Sequence, residues 1–92
     1  MLSKDEERWI DSTLGADPDA GDVVPSTGGV RKLRVALLDR GKRGGARVIY
    51  YYSGAKEKVF LILAYAKTAK LNLTGSEKRR MQKLVAELES ER

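Results

Sequence analysis

The chain has 92 residues, no cysteine and no histidine, and it carries 18 lysines and arginines against 13 carboxylates for a net charge of +5. That length predicts one domain, residues 1–92, with a modest core. The missing residue types exclude disulfides, thiol nucleophiles, imidazole general bases and the commonest zinc ligands, so any chemistry must run on Lys, Arg, Tyr, Asp or Glu.

The charge is unevenly placed: residues 1–22 carry −5, residues 23–72 carry +9 and residues 73–92 carry +1. A one-sided basic field on a small domain favours polyanions, above all nucleic acid, because each neutralised phosphate releases condensed counterions. Met1-Leu2-Ser3 runs straight into charged residues without an apolar leader. No later apolar stretch reaches the roughly 18 residues that a membrane span needs, so the cytoplasm is the expected compartment and no membrane is an expected partner.

Ser3 and Glu6 have capping-box spacing, and Leu2, Trp9, Ile10, Thr13 and Leu14 fall near one helical stripe, which predicts a short amphipathic helix over 4–14 that stops at Gly15, with Trp9 as an anchor. Asp17-Pro18-Asp19 and Gly21-Asp22 mark a turn, and Val23-Val24-Pro25 is extended because the residue before proline is pushed out of the α region. Ser26-Thr27-Gly28-Gly29 is a tight link into a strand predicted over Val30 to Leu38, in which Arg31, Lys32 and Arg34 are set. A flexible basic loop, Asp39 to Gly45, leads to a second strand over Ala46 to Tyr52, and Ser53 to Lys56 turns the chain into an apolar third strand over Val59 to Tyr65. Thr74 and Glu77 repeat the capping-box spacing, and Met81, Leu84, Val85 and Leu88 recur at helical intervals, so the chain closes with a helix. The fold class expected is α+β, a small antiparallel sheet of three to four strands with helices packed on one face.

Successive strand residues point to opposite faces. Lys32 and Arg34 therefore share one side and Arg31 takes the other. If the first hairpin pairs symmetrically about its glycine-rich loop, Ala36 lies opposite Arg47, and Lys32, Arg34 and Arg47 converge on one surface. Pairing across Ser53 to Glu57 adds Tyr65 and Lys67. The opposite face carries Leu33, Val35, Val48, Tyr50, Tyr52, Phe60 and Ile62. Like charges side by side on a sheet repel, so this arrangement costs stability unless an anion occupies it. At least two of Tyr50, Tyr51 and Tyr52 read as packing residues.

The stretches Val24 to Arg34, Arg43 to Tyr52 and Leu63 to Lys67 resemble the RelE/ParE superfamily, and within it the HigB-type branch of bacterial toxin–antitoxin modules, over about residues 18 to 90. The resemblance implies a RelE-like fold and a ribosome-dependent, metal-independent endoribonuclease that cuts translated mRNA, without a cofactor, and is neutralised by a HigA-type helix-turn-helix antitoxin. It implies operator DNA as a partner only through that antitoxin. Catalytic basic residues of the family fall on Lys32, Arg34, Arg47 and Lys67, with Lys70 a looser match. RelE-like proteins usually begin with a strand and a longer helix before the segment that matches Leu2 to Ala20, and nothing here supplies them, so the expectation is either a misplaced start codon or a shortened domain with an exposed sheet edge.

Cleaving RNA through its 2′-hydroxyl needs that oxygen in line with the phosphorus, its proton removed, the developing phosphorane charge stabilised and the 5′-oxygen protonated. With no histidine, Lys32, beside the like charge of Arg34, is the candidate base. Arg47 and Arg34 are the candidate phosphate grips, since a guanidinium fork suits a bidentate contact, and Lys67 is an acid or a further phosphate contact. Tyr65 is a candidate stacking platform for a base, and Arg31, Lys42, Arg43 and Lys70 are candidate RNA contacts. Two alternatives stand beside the nuclease: a ParE-like gyrase inhibitor, and a non-catalytic or truncated toxin that binds antitoxin in operator autoregulation.

Overall fold

The computed structural model describes residues 3–35, 45–66 and 72–90. In chain order these form helix α1 (Lys4–Ala16), strands β1 (Asp22–Val23), β2 (Arg31–Val35), β3 (Ala46–Ser53) and β4 (Lys58–Ala66), and helix α2 (Gly75–Ser90). The strands make one antiparallel sheet in the order β1-β2-β3-β4, so the α+β class is observed with four strands. Among the described residues no helix is long and apolar enough to cross a membrane.

Both helices start where their caps predict. The Ser3 hydroxyl accepts from the Glu6 N–H at 3.1 Å while the Glu6 carboxylate accepts from the Ser3 N–H at 2.8 Å. Thr74 and Glu77 repeat the exchange at 3.1 and 2.9 Å. Each box satisfies backbone donors that a helix start leaves unpaired. Helix α1 runs past Gly15 to Ala16, because the Asp17 N–H still reaches the Thr13 carbonyl at 2.9 Å.

The turn after α1 is fastened to the sheet by Tyr50. Its hydroxyl donates to the Pro18 carbonyl at 2.7 Å and accepts from the Gly21 N–H at 3.0 Å. Gly21 is needed at this point, since a Cβ there would stand 2.8 Å from the Lys32 carbonyl oxygen and 2.9 Å from the Tyr50 ring. Between β1 and β2, Thr27 Oγ1 donates to the Val24 carbonyl at 2.7 Å and accepts from the Val30 N–H at 3.1 Å. Gly28 and Gly29 take φ values of 81° and 112° there, a region that side chains disfavour. Gln82 of α2 donates to the Ser26 carbonyl at 2.8 Å and holds this turn against the helix.

β3 is the centre of the molecule, with every residue from Ala46 to Tyr51 buried. On one face Leu33, Val35, Val48 and Tyr50 pack with Ile10 and Leu14 of α1. On the other, Ile49, Tyr51 and Tyr65 pack with Met81 and Val85 of α2. The helices thus lie on opposite faces and not together on one. The reason is that β3 is apolar on both sides, and each side needs its own cover. Trp9 is not among the buried residues of α1 and is 44% exposed, so Ile10 and Leu14 anchor the helix and Trp9 is not part of the core.

The registers also differ in detail from the symmetric expectation. Arg34, not Ala36, lies opposite Arg47. The offset is two residues, which leaves the facing of every side chain unchanged. Residues 36–38 of the predicted first strand lie outside the described residues. Between β3 and β4 the register shifts at Ile49/Tyr50, which pair with Leu63 and Leu61, so Ile62 is the extra residue of a bulge. This shift carries Phe60 and Ile62 to the α2 side, away from the face that strict alternation assigns them.

The end of α2 is tied to the β3–β4 turn. Ser53 Oγ donates to Glu89 Oε1 at 2.5 Å, and the Lys56 ammonium donates to the Leu88 carbonyl. Hydrogen bonds from Ser53 and Tyr51, with the charge of Lys56, hold the Glu89 carboxyl below its ordinary range. Burial, with the Glu89 contact, raises the Tyr51 phenol.

Two outcomes test this packing. Tyr50→Phe keeps the ring but leaves the Gly21 donor and the Pro18 acceptor without their phenol partner, and urea unfolding should show a loss of about 1–3 kcal/mol. Because the Glu89 carboxyl is depressed in the folded protein, its contribution is present above the unfolded carboxylate range and is lost as pH falls through the lower folded value. Melting temperature should therefore drop more steeply below about pH 4.3 in the unaltered protein than in Glu89→Gln.

Candidate functional site

Alternation along β2 puts Lys32 and Arg34 on the α2 side of the sheet and Arg31 on the α1 side. Cross-strand pairing then builds two rows. Arg34, Arg47 and Tyr65 lie side by side across β2, β3 and β4, and Asp22, Lys32, Ile49 and Leu63 form the next row. Lys32, Arg34 and Arg47 therefore share one face, as strand parity requires.

Their exposure divides them. Arg34 is exposed and Lys32 partly so. Arg47 is only 8% exposed, with one guanidinium nitrogen donating to the Ala46 carbonyl at 3.2 Å. Tyr65 is 6% exposed and belongs to the apolar cluster of Ile49, Leu73 and Met81. Its ring is a core element in this structure and not an open stacking platform, because Leu73 and the α2 residues Met81 and Val85 pack in the same cluster.

Arg31 is placed apart from the other cations. Its guanidinium donates to the Gly21 carbonyl at 2.7 Å and to the Asp19 carbonyl at 3.3 Å, and it pairs with the Asp19 carboxylate at 3.2 Å. The expected RNA contact is thus a clamp on the acidic turn after α1, on the opposite face from Lys32. Lys42, Arg43, Lys67 and Lys70 lie outside the described residues.

The structure also brings in residues that sequence reasoning missed. A cleft of about 340 Å³ opens between the β1–β2 edge and the start of α2, lined by Asp22, Pro25, Lys32, Asn72, Leu73 and Lys78 among others. Lys78 reads in sequence as one charge of a mixed-charge helix, and Asp22 as part of an acidic turn. Only the pairing of Asp22 with Lys32, and the seating of α2 over that edge, put them together.

The electrostatics follow from the two helices. Helix α1 carries Asp5, Glu6, Glu7 and Asp11 and covers the face that Arg31 shares. The open cations Lys32 and Arg34 are on the other face. Helix α1 has four carboxylates against Lys4 and Arg8, and α2 has Lys78, Arg79, Arg80 and Lys83 against three glutamates, so the α2 side is the more positive of the two and the one to which an anion is drawn. Such a site can bind phosphate at Lys32 and Arg34 and reinforce that binding with the buried charge of Arg47 beside Arg34.

Over residues 19–91 the sequence matches the family described as RelE toxin of RelE / RelB toxin-antitoxin system. The chain belongs to the RelE toxin family. The match takes in all four strands and α2, the elements that carry every described cation of the site. As a RelE-family toxin it is the toxin of a toxin–antitoxin system, with an antitoxin for its partner.

For this RelE-family toxin the face on which each arginine lies sets what it can contribute to binding a polyanion on the α2 side. Arg34→Ala should reduce the slope of log affinity against log salt for single-stranded RNA by about 0.7, one phosphate contact, in an anisotropy titration. Arg31→Ala, which removes a clamp on the other face, should leave the slope unchanged, and equal losses in both variants would contradict the placement.

Proposed function

We propose that this toxin is a ribosome-dependent mRNA endoribonuclease. The observation that carries the reading is the convergence of Lys32, Arg34 and Arg47 on one sheet face, with the two arginines directly opposite each other. Adjacent like charges oppose folding, and an anionic ligand relieves that repulsion. In the reaction proposed, the RNA 2′-oxygen attacks the adjacent phosphorus, the amine of Lys32 takes its proton, and the 5′-oxygen leaves with a proton supplied from the site. The products are a 2′,3′-cyclic phosphate and a 5′-hydroxyl. Arg34 binds the non-bridging oxygens directly, and Arg47, its cross-strand neighbour and largely withdrawn from solvent, adds its charge from the side where the dielectric is lower. Lys67 is retained in the proposal as acid or phosphate contact.

The partner proposed is a HigA-type antitoxin, with operator DNA reached only through it, and the place of action is the cytoplasm. Surface for a protein partner exists at β4, which ends the sheet and leaves Leu61 at 55% and Leu63 at 37% exposed. Gyrase inhibition has no need of the cation row, and a binding-only toxin has no need of Lys32 beside Arg34.

Cleavage of a translated mRNA by purified toxin tests the reading. Arg34→Ala and Lys32→Ala should each slow cleavage by at least about 100-fold, a loss in the range of general acid–base and electrostatic contributions, without lowering the melting temperature. Unchanged cleavage in both variants, or stalled replication without cleavage, would overturn it.

A further inference from the structure

The cleft beside Lys32 offers more than another phosphate contact. Its walls combine four kinds of group at one place: the carboxylate of Asp22, the amide of Asn72, the ammonium groups of Lys32 and Lys78, and the apolar surfaces of Pro25 and Leu73. A volume of about 340 Å³ falls in the range of small-ligand pockets, which are mostly apolar with a few polar groups that fix orientation. Asp22, Asn72 and Pro25 are exposed, Lys32 and Lys78 are half-buried and Leu73 is buried, so the carboxylate and the amide stand at the rim, the two lysines lie further in and Leu73 forms the floor. Asp22 forms no ion pair among the described residues, although it lies directly across from Lys32 in the sheet.

A flat ring between Pro25 and Leu73, phosphate at Lys78 and hydrogen-bonding groups at the rim describe one nucleotide, with Lys32 at its border with the scissile position. We propose that this cleft is a nucleotide subsite next to the scissile position, in which Lys78 holds a phosphate and Asp22 reads the base. The assignment rests on the nuclease reading for its place in the reaction, but not for its binding chemistry. A carboxylate only accepts hydrogen bonds. Adenine, guanine and cytosine each present an exocyclic amino group to it. Uracil presents two carbonyls flanking a single N–H, so its edge places oxygen against the carboxylate. The subsite therefore discriminates against uracil, and Asp22 is the residue that does so.

Isothermal titration of the full chain with adenosine 3′,5′-bisphosphate and with uridine 3′,5′-bisphosphate tests this directly, because the readout is binding and not cleavage. The adenosine compound should bind roughly tenfold more tightly, as expected of one well-placed base contact. Asp22→Asn supplies a donor for the uracil carbonyls and should bring the two affinities to within about threefold, while Lys78→Ala should weaken both and preserve their ratio. Circular dichroism shows whether each variant is folded, and Asp22→Ser serves as a second substitution if Asp22→Asn is not. A ratio that survives both Asp22 substitutions, or Lys78→Ala without effect, would overturn the subsite. The mRNA cleavage assay separates this from the larger reading: base-selective binding without cleavage leaves the subsite standing and removes the nuclease, and cleavage without base-selective binding does the reverse.

Discussion

The pairing of β3 with its two neighbours is the constraint on which the rest depends. β3 is the one strand buried along nearly its whole length, and its alternation sends Val48 and Tyr50 to one layer and Ile49 and Tyr51 to the other. Because one residue of slip would exchange the faces of an entire strand, apolar contact on both sides holds the register more firmly than a one-sided core would. The cations take their positions as a consequence. Arg47 sits within β3 between two buried neighbours, and Arg34 is set opposite it by the same ladder.

That arrangement explains why a small domain tolerates like charges side by side. The apolar layers on both faces commit the backbone, and Lys32 and Arg34 then occupy the positions that α2 leaves open. The acidic helix α1 is held on the far side, where Arg31 and Tyr50 fasten the turn that follows it. The carboxylates of α1 are thus kept from Lys32 and Arg34 by the thickness of the sheet, whereas the short strand β1 delivers Asp22 directly opposite Lys32. A single carboxylate retained beside two lysines is better suited to reading a base than to binding a phosphate.

Much of the architecture is legible in the sequence. The two capping boxes start both helices, and the β-branched and aromatic runs give the three long strands, because these signals are local and need no tertiary context. Facing by strand parity is equally local, which is why Lys32, Arg34 and Arg47 emerge together even though the expected register was two residues away. Other features are not local. The bulge at Ile62 that turns Phe60 toward α2 has no distinct mark in an unbroken apolar run. Burial of Tyr65 depends on Leu73 and on Met81 and Val85 of α2 packing in its cluster. The clamp of Arg31 on Asp19 depends on where the turn after α1 lands. Lys78 and Asn72 enter the cleft only when α2 is docked, so nothing in their spacing from Lys32 could announce them.

The central claim is that RNA meets the α2 side of the sheet, at the cations that α2 leaves uncovered. Chemical-shift mapping of the isotope-labelled toxin with a short single-stranded RNA tests it most directly. The account predicts the largest changes at Lys32, Arg34 and their neighbours across β1 and β3, with α1 and the Asp17–Gly21 turn unmoved. Changes centred on α1 and Arg31, with the Lys32 and Arg34 signals undisturbed, would contradict it.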